Sequence, residues 1–192
     1  MNRGKPNLQM SDTNIISQVP QRLKDKVKKL ETMLEAFVKN CQPLEQASLH
    51  LLADCCTDAL FCECHIRASI LVKNGTVDVP LDPEEQAEYR ANRELVEDHV
   101  AYERMRNDAL SGRAYSNLVI EYHLPTNEEP SLMVIGGQHR FHAIQTAQAK
   151  GVDEYHGVKV YFDLDTDQRL DVQLISNTNI AVSSASTHSN RS

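Results

Sequence analysis

The sequence predicts an α+β fold: a small mixed sheet with helices, preceded by a helical N-terminal half. Three observations lead to this expectation. Through residues 21–40 the apolar residues Leu23, Val27, Leu30, Leu34, Phe37 and Val38 recur at three- and four-residue steps, the mark of an amphipathic helix. After Gly112 the character changes, and runs rich in Val, Ile, Leu and Tyr at 115–123, 132–135 and 158–164 read as strands. Between the last two runs, residues 141–150 read as a helix with Gly151 just past its end. The predicted order is a helical first half, then β-β-α-β-α.

Taken in order, residues 1–20 are polar, carry Pro6 and Pro20, and are expected to form a poorly ordered arm. Residues 21–110 are expected to be a helical region packing on the core. Within it, Pro43 opens a second helical stretch, rich in Leu, Ala and Cys, to about residue 66, and Asn74-Gly75 reads as a turn. Asp82-Pro83-Glu84-Glu85 has the chemistry of a helix start: a capping carboxylate, a proline at the first helical position and acids that complement the dipole. That helix is expected to run to about residue 110, with Gly112 ending it. Residues 111–183 form the expected α/β core, with a turn at Pro125-Thr126-Asn127. Asp165 or Thr166 caps a last helix to about residue 176, and the Ser-rich residues 184–192 are expected to be a flexible tail.

Composition narrows the function classes. The chain has 192 residues, 41% of them hydrophobic, which suits one domain with a sizeable core. Trp is absent and aromatics make up 5%, so the core is expected to be mostly aliphatic. A net charge of -7 argues against a large non-specific nucleic-acid surface, which needs clustered Lys and Arg, but leaves room for one local basic pocket. The dense basic run Arg22-Leu23-Lys24-Asp25-Lys26-Val27-Lys28-Lys29 reads as the solvated face of a helix. No apolar run is long enough to span a bilayer, and the polar first residues contain no signal-peptide core. A cytoplasmic location without a membrane partner is expected. Five cysteines in a reducing compartment argue against a disulfide framework. The long N-terminal helices would offer apolar faces for homo-oligomer formation.

The residues with the most specific chemistry are Gly136-Gly137-Gln138-His139-Arg140. A buried strand delivers the chain to two glycines, which permit positive φ and close approach of a ligand to the backbone. A helix follows at once, so its first amides point back at the turn and its positive end favours anions. Arg140 adds a planar fork of donors suited to phosphate oxygens, His139 a titratable donor, and Gln138 a neutral amide. This strand-to-helix turn is built to hold a phosphate-like anion.

The string Gly136-Gly137-Gln138-His139-Arg140-Phe141-His142-Ala143 resembles the signature of the ParB/sulfiredoxin superfamily, and is most similar to the DGQHR-type domain of DndB-like proteins associated with bacterial DNA modification. The resemblance spans residues 115–183. It includes an Asn-rich segment after the third strand, matched here by Ser176-Asn177-Thr178-Asn179. It implies a ParB/sulfiredoxin-like core whose glycines, His/Arg pair and helix start hold the phosphates of ATP or CTP. Carried over by position, Gly137, His139 and Arg140 would contact phosphate, with Gly136 and Gln138 completing the loop. Gln138 stands where sulfiredoxins carry their catalytic Cys, and an amide is no thiolate nucleophile, so sulfiredoxin-type repair is excluded. Where ParB proteins carry a Glu that helps hold magnesium, Gln138 offers only a neutral oxygen. Gly136 stands where the DGQHR pattern has Asp, and supplies no carboxylate.

Other residues are second-tier candidates. Arg90 and Arg93 share a face of the charged helix and would suit closure over a phosphate. Asn177 and Asn179 would read a base edge or pin a loop. His142 lies in the first turn of the site helix, and His123 has no evident partner. Asp163 and Asp165, with Asp167 and Asp171, would suit a divalent cation at a strand end, although Asp165 equally suits a helix cap. Cys55, Cys56, Cys62, Cys64 and His65 contain soft metal ligands at a non-standard spacing, and Cys55 and Cys62 are expected to share one helix face and pack in the core.

The function expected from these residues is binding of a nucleotide, or of a nucleic-acid phosphate, at the Gly136–Arg140 loop, in bacterial or phage DNA modification or defence. Should the domain catalyse a reaction, NTP hydrolysis with His139 and Arg140 as the catalytic pair is expected ahead of nuclease activity, with ATP or CTP and magnesium as the candidate cofactors. Two alternatives stay open: a non-enzymatic regulator or assembly module sensing a ligand in the same pocket, and a metal-dependent nuclease using the Asp163–Asp171 group.

Overall fold

The computed structural model describes residues 8–9, 15–77, 100–126 and 129–185; for 8–9, 101 and 177–185 it describes the backbone alone. The strands are β1 (Leu8–Gln9), β2 (Ile16–Ser17), β3 (His50–Ala53), β4 (Leu60–Arg67), β5 (Gly75–Val77), β6 (Leu118–Tyr122), β7 (Leu132–Gly136) and β8 (Tyr155–Phe162). The helices are α1 (Lys24–Lys29), α2 (Glu31–Cys41), α3 (Ala68–Asn74), α4 (Val100–Leu110), α5 (Gln138–Gln148) and α6 (Thr166–Ala185). A 3-10 turn, Gln21–Leu23, precedes α1. The fold is mixed α/β, compatible with the expected α+β class.

One mixed sheet organises the described residues, in the order β1-β2-β3-β4-β8-β6-β7-β5. β8 is central: it pairs antiparallel with β4 over eight residues, from Leu60 opposite Phe162 to Arg67 opposite Tyr155, and parallel with β6. β6 and β7 form an antiparallel pair, and β5 adds in parallel to β7.

The sheet draws strands from both sides of residue 110, which corrects the helical reading of residues 43–66. Along β4, Leu60, Cys62, Cys64 and Ile66 are buried while Glu63, His65 and Arg67 are exposed. That is the period of two belonging to a strand. Single-residue composition suggested a helix, but eight backbone pairings with β8 decide the conformation. Cys55 and Cys62 therefore share no helix face: Cys55 is exposed in the turn before β4, and Cys62 is buried on it. The expected arm at 1–20 also needs correction. Ile15 is fully buried, and the amides of Ile16 and Gln18 donate to the carbonyls of Leu49 and Leu51 at 2.8 and 2.9 Å, tying β2 to β3. The expected turn at Asn74-Gly75 is a direct passage from α3 into β5.

The amphipathic stretch at 21–40 forms consecutive helical segments whose apolar side is buried in this chain's own core, with Lys28 and Lys29 in solvent. Leu23, Val27, Leu30, Leu34 and Phe37 pack with α3, α5 and one face of the sheet. Phe37 meets Tyr122 and Phe162 edge-on at ring separations of 5.2 and 5.3 Å. The opposite face is smaller, built from Ala59, Ile135, Tyr161 and Val172, the last contributed by α6. Gly112 follows α4 with φ +85, and Gly151 follows α5 with φ +88, as the sequence predicted for helix ends. Two helices are longer than expected: α5 begins at Gln138 rather than at 141, and α6 runs past 176 to Ala185, taking in the first two residues of the expected tail.

Candidate functional site

The Gly136–Arg140 turn sits where β7 gives way to α5. The apolar run Leu132–Gly136 is almost wholly buried, as a strand flanked by β6 and β5 should be. Its pairing with β6 shifts register: Val119 faces Gly136 but Ile120 faces Val134, so Ile135 is the extra residue of a bulge. The bulge turns Gly136 toward α6, where a Cβ would lie 2.9 Å from both Cβ and Oγ of Ser176 and 3.2 Å from Cβ of Val119. A glycine is required there by the closeness of two elements.

Gly137 is required for a second reason. It has φ +80 and ψ 28, left-handed backbone that favours glycine. A Cβ there would also come within 3.1 Å of Leu118 Cδ2 and 3.2 Å of the Asn117 carbonyl oxygen. As the N-cap of α5 it brings no side chain to the first-turn amides. The Phe141 amide donates to the Gly137 carbonyl at 3.0 Å and closes the first turn. Phe141, Ala143, Ile144 and Ala147 bury the inner side of α5, which leaves Gln138, His139 and Arg140 half-buried at its positive end.

Two neighbours missed in the sequence hold that end. Arg140 Nη1 donates to the Asn117 carbonyl at 3.4 Å, a long contact. Asn117 itself has φ 64, a conformation Asn tolerates better than most residues. The His139 ring meets Tyr102 of α4 edge-on at 6.2 Å. An Asn directly before a strand was a legible signal for Asn117; nothing local marks Tyr102.

α6 packs on the face of the sheet opposite α5, and it is capped at its start and held by four further contacts. Asp165 and Gln168 cap it reciprocally: the Gln168 amide donates to Asp165 Oδ1 at 2.9 Å and the Asp165 amide to Gln168 Oε1 at 3.1 Å. Gln168 Nε2 then donates to the Thr57 carbonyl at 2.7 Å. Arg169 Nη2 lies 2.7 Å from Oε2 of Glu121, a carboxylate 3% exposed on β6. Val172 enters the small core, and Ser176 meets Gly136. Glu121 was visible in the sequence as a single charge inside an apolar strand, whereas Arg169 lies among Asp167, Gln168 and Asp171 and carries no such mark.

The second-tier candidates separate. The Asn177 and Asn179 backbone continues α6 as helix directly after Ser176, so the Asn-rich segment is no loop; their side chains lie outside the description. Arg90 and Arg93 lie outside the described residues. His142 turns along α5, with Nδ1 2.9 Å from Gln145 Oε1. His123 has its Nε2 3.5 Å from Glu121. Asp165 is engaged as a helix cap, and Asp163 occupies a left-handed turn at φ 52. Among the described residues no group of three or more His, Cys, Asp or Glu side chains is placed to hold a metal ion, at the Asp163–Asp171 group or at the cysteines.

Cys41, Cys62 and Cys64 are buried in the main core. Burial pushes the Cys41 thiol up to about 12, and Cys62 well above its ordinary value, so both stay neutral. His65 is fixed by Glu45, its Nδ1 2.5 Å from Oε1. No described helix is long and apolar enough to cross a membrane. Compared with known proteins, the chain matches no family model, no curated protein and no solved structure.

Proposed function

We propose that this chain is a ParB/sulfiredoxin-like domain of the DGQHR type that binds a nucleotide, ATP or CTP, through its phosphates at the Gly136–Arg140 loop. The observation that supports it best is Gly137. With φ +80 and no side chain, it ends β7 and opens α5, and it places the helix amides, His139 and Arg140 at one positive end. Phosphate is the anion this set suits, because a guanidinium fork and successive amides match several oxygens at once. A cytoplasmic role in bacterial or phage DNA modification or defence goes with the resemblance, as does contact with a DNA phosphate at the same loop.

Catalysis in this reading is NTP hydrolysis. His139 and Arg140 stabilise charge on the transferring phosphoryl group, and Gln138 offers a neutral oxygen to water or to a magnesium-bound nucleotide. A second reading, a non-enzymatic sensor, is supported by the closeness of Ser176 to Gly136, since a ligand that shifted the loop would press on α6.

A thermal-shift panel of nucleotides tests both. At a hundred times its Kd a ligand adds about 2.7 kcal/mol, which for a chain of this size raises Tm by roughly 5–10 °C. ATP or CTP should give such a shift, and Arg140→Ala should remove it. No shift with any nucleotide would sink the proposal. Phosphate release by the bound protein separates hydrolase from sensor.

A further inference from the structure

The turn between β3 and β4 combines a tightly held backbone with two outward cysteines. The Asp54 amide donates to the Ala59 carbonyl and the Asp58 amide to the Asp54 carbonyl, both at 2.9 Å. Asp54 Oδ1 accepts from the amides of Cys56 at 2.7 Å and Thr57 at 3.3 Å. Thr57 Oγ1 accepts from the Ala59 amide, and the Thr57 carbonyl accepts from Gln168. Asp58 is paired with Arg22. Cys55 and Cys56 are both exposed, whereas the other three cysteines are buried.

Adjacent thiols have limited options. The Cys55–Cys56 peptide is trans, which sets its Cα atoms ~3.8 Å apart. Disulfides span roughly 4.4–6.8 Å between Cα atoms, so direct S–S closure here would be strained and readily reduced. A single soft atom bridging the two sulfurs enlarges the ring by one member and relieves that strain. Arg22, paired with Asp58, borders the same turn. Thiolate is the species that attacks soft electrophiles.

We propose that Cys55 and Cys56, adjacent and exposed on a backbone-anchored turn, form a vicinal dithiol that chelates a trivalent thiophilic centre of the organoarsenical type. Each thiol replaces one hydroxyl on the hydrated arsenic: two As–S bonds form, two As–O bonds break, and two waters leave with the thiol protons. No electron changes hands. The anchored backbone keeps both sulfurs on the same short turn, so the second bond closes intramolecularly. Because Thr57 of this turn holds Gln168, the site also touches the first turn of α6.

The probe is phenylarsine oxide added to the full, reduced chain. One adduct per chain is expected, mapping by peptide mass to Cys55 and Cys56. Excess monothiol should leave it in place, and 1,2-ethanedithiol should strip it. Cys55→Ser and Cys56→Ser should each lower affinity about 100-fold or more, while Cys41→Ala should not change it. An adduct on Cys41, Cys62 or Cys64, full affinity in either Ser variant, or release by monothiol would overturn the proposal. The mapping on the unaltered chain decides the matter even if a variant misfolds.

Discussion

Ser176 closes on Gly136: a side chain at 136 would begin 2.9 Å from both Cβ and Oγ of the serine. Two elements far apart in sequence, the end of β7 and the third turn of α6, approach as closely as backbone without a side chain allows. The bulge at Ile135 aims Gly136 at that contact.

The first prediction is that Gly136→Ala lowers stability by about 1–3 kcal/mol, the usual cost of one methyl too many in a packed site. The loss should be seen as a lower urea midpoint. Ser176→Gly in the same chain should restore most of it. A double variant no more stable than Gly136→Ala alone would show that α6 does not press on the loop.

A second prediction concerns the ion pair that anchors α6. Arg169→Ala leaves the Glu121 carboxylate buried without its cation, and a loss of about 3–5 kcal/mol is expected. Replacing both residues, Glu121→Leu with Arg169→Leu, should be much milder, because no buried charge remains. Equilibrium denaturation of the three chains measures this, and equal losses in the single and double variants would contradict it.

His156 sets a third, through pH. Its ring is 4% exposed, and its Nδ1 accepts from the Tyr115 amide at 3.0 Å. Burial lowers its pKa to about 4, with Asp153 opposing slightly. An imidazole with a depressed folded pKa binds its proton in the unfolded chain first. Its contribution to stability is therefore intact above about pH 6.5 and is lost as pH falls toward 4, by roughly 3 kcal/mol in all. His156→Asn keeps an acceptor for Tyr115 but cannot titrate, so its stability profile should be flatter between those two values. Parallel profiles would refute the assignment.

Asn117 gives a fourth. At φ 64 a β-branched residue is strained, so Asn117→Val should cost about 1–2 kcal/mol, and Asn117→Gly should be neutral or slightly stabilising. Melting temperatures of the two variants check the sign. The Arg140 contact is to a backbone carbonyl, so the glycine variant should keep any nucleotide shift that the parent chain shows.

Much of the second half was legible in the sequence, because its signals were local. The turn at Gly136-Gly137, the strands on either side, the glycines after α4 and α5 and the Asp165 cap all follow from single-residue chemistry. The first half was harder to read. β4 alternates Leu60, Cys62, Cys64 and Ile66 against polar residues, but its partner lies about a hundred positions away on β8, and no window along the chain contains both. The same holds for Ile15, whose burial depends on β3. In the site, the motif named the loop but not its surroundings: Tyr102, Asn117 and Ser176 arrive from three other elements. Glu121 could have been singled out by asking why one acid interrupts an apolar strand, but nothing in the polar run 165–171 marks Arg169 as its partner.

The place of β8 in the sheet has a consequence for how the chain is made. Among the described strands, two half-sheets, one of β1 to β4 and one of β6, β7 and β5, are joined by backbone pairing through it alone. During synthesis both halves must wait, each with an open edge, until residues 155–162 leave the ribosome. Those edges are the surfaces on which nascent chains pair wrongly with one another. A chain stopped before Tyr155 would carry the whole Gly136–Arg140 motif and yet expose two unpaired strands, β4 and β6, as templates for aggregation.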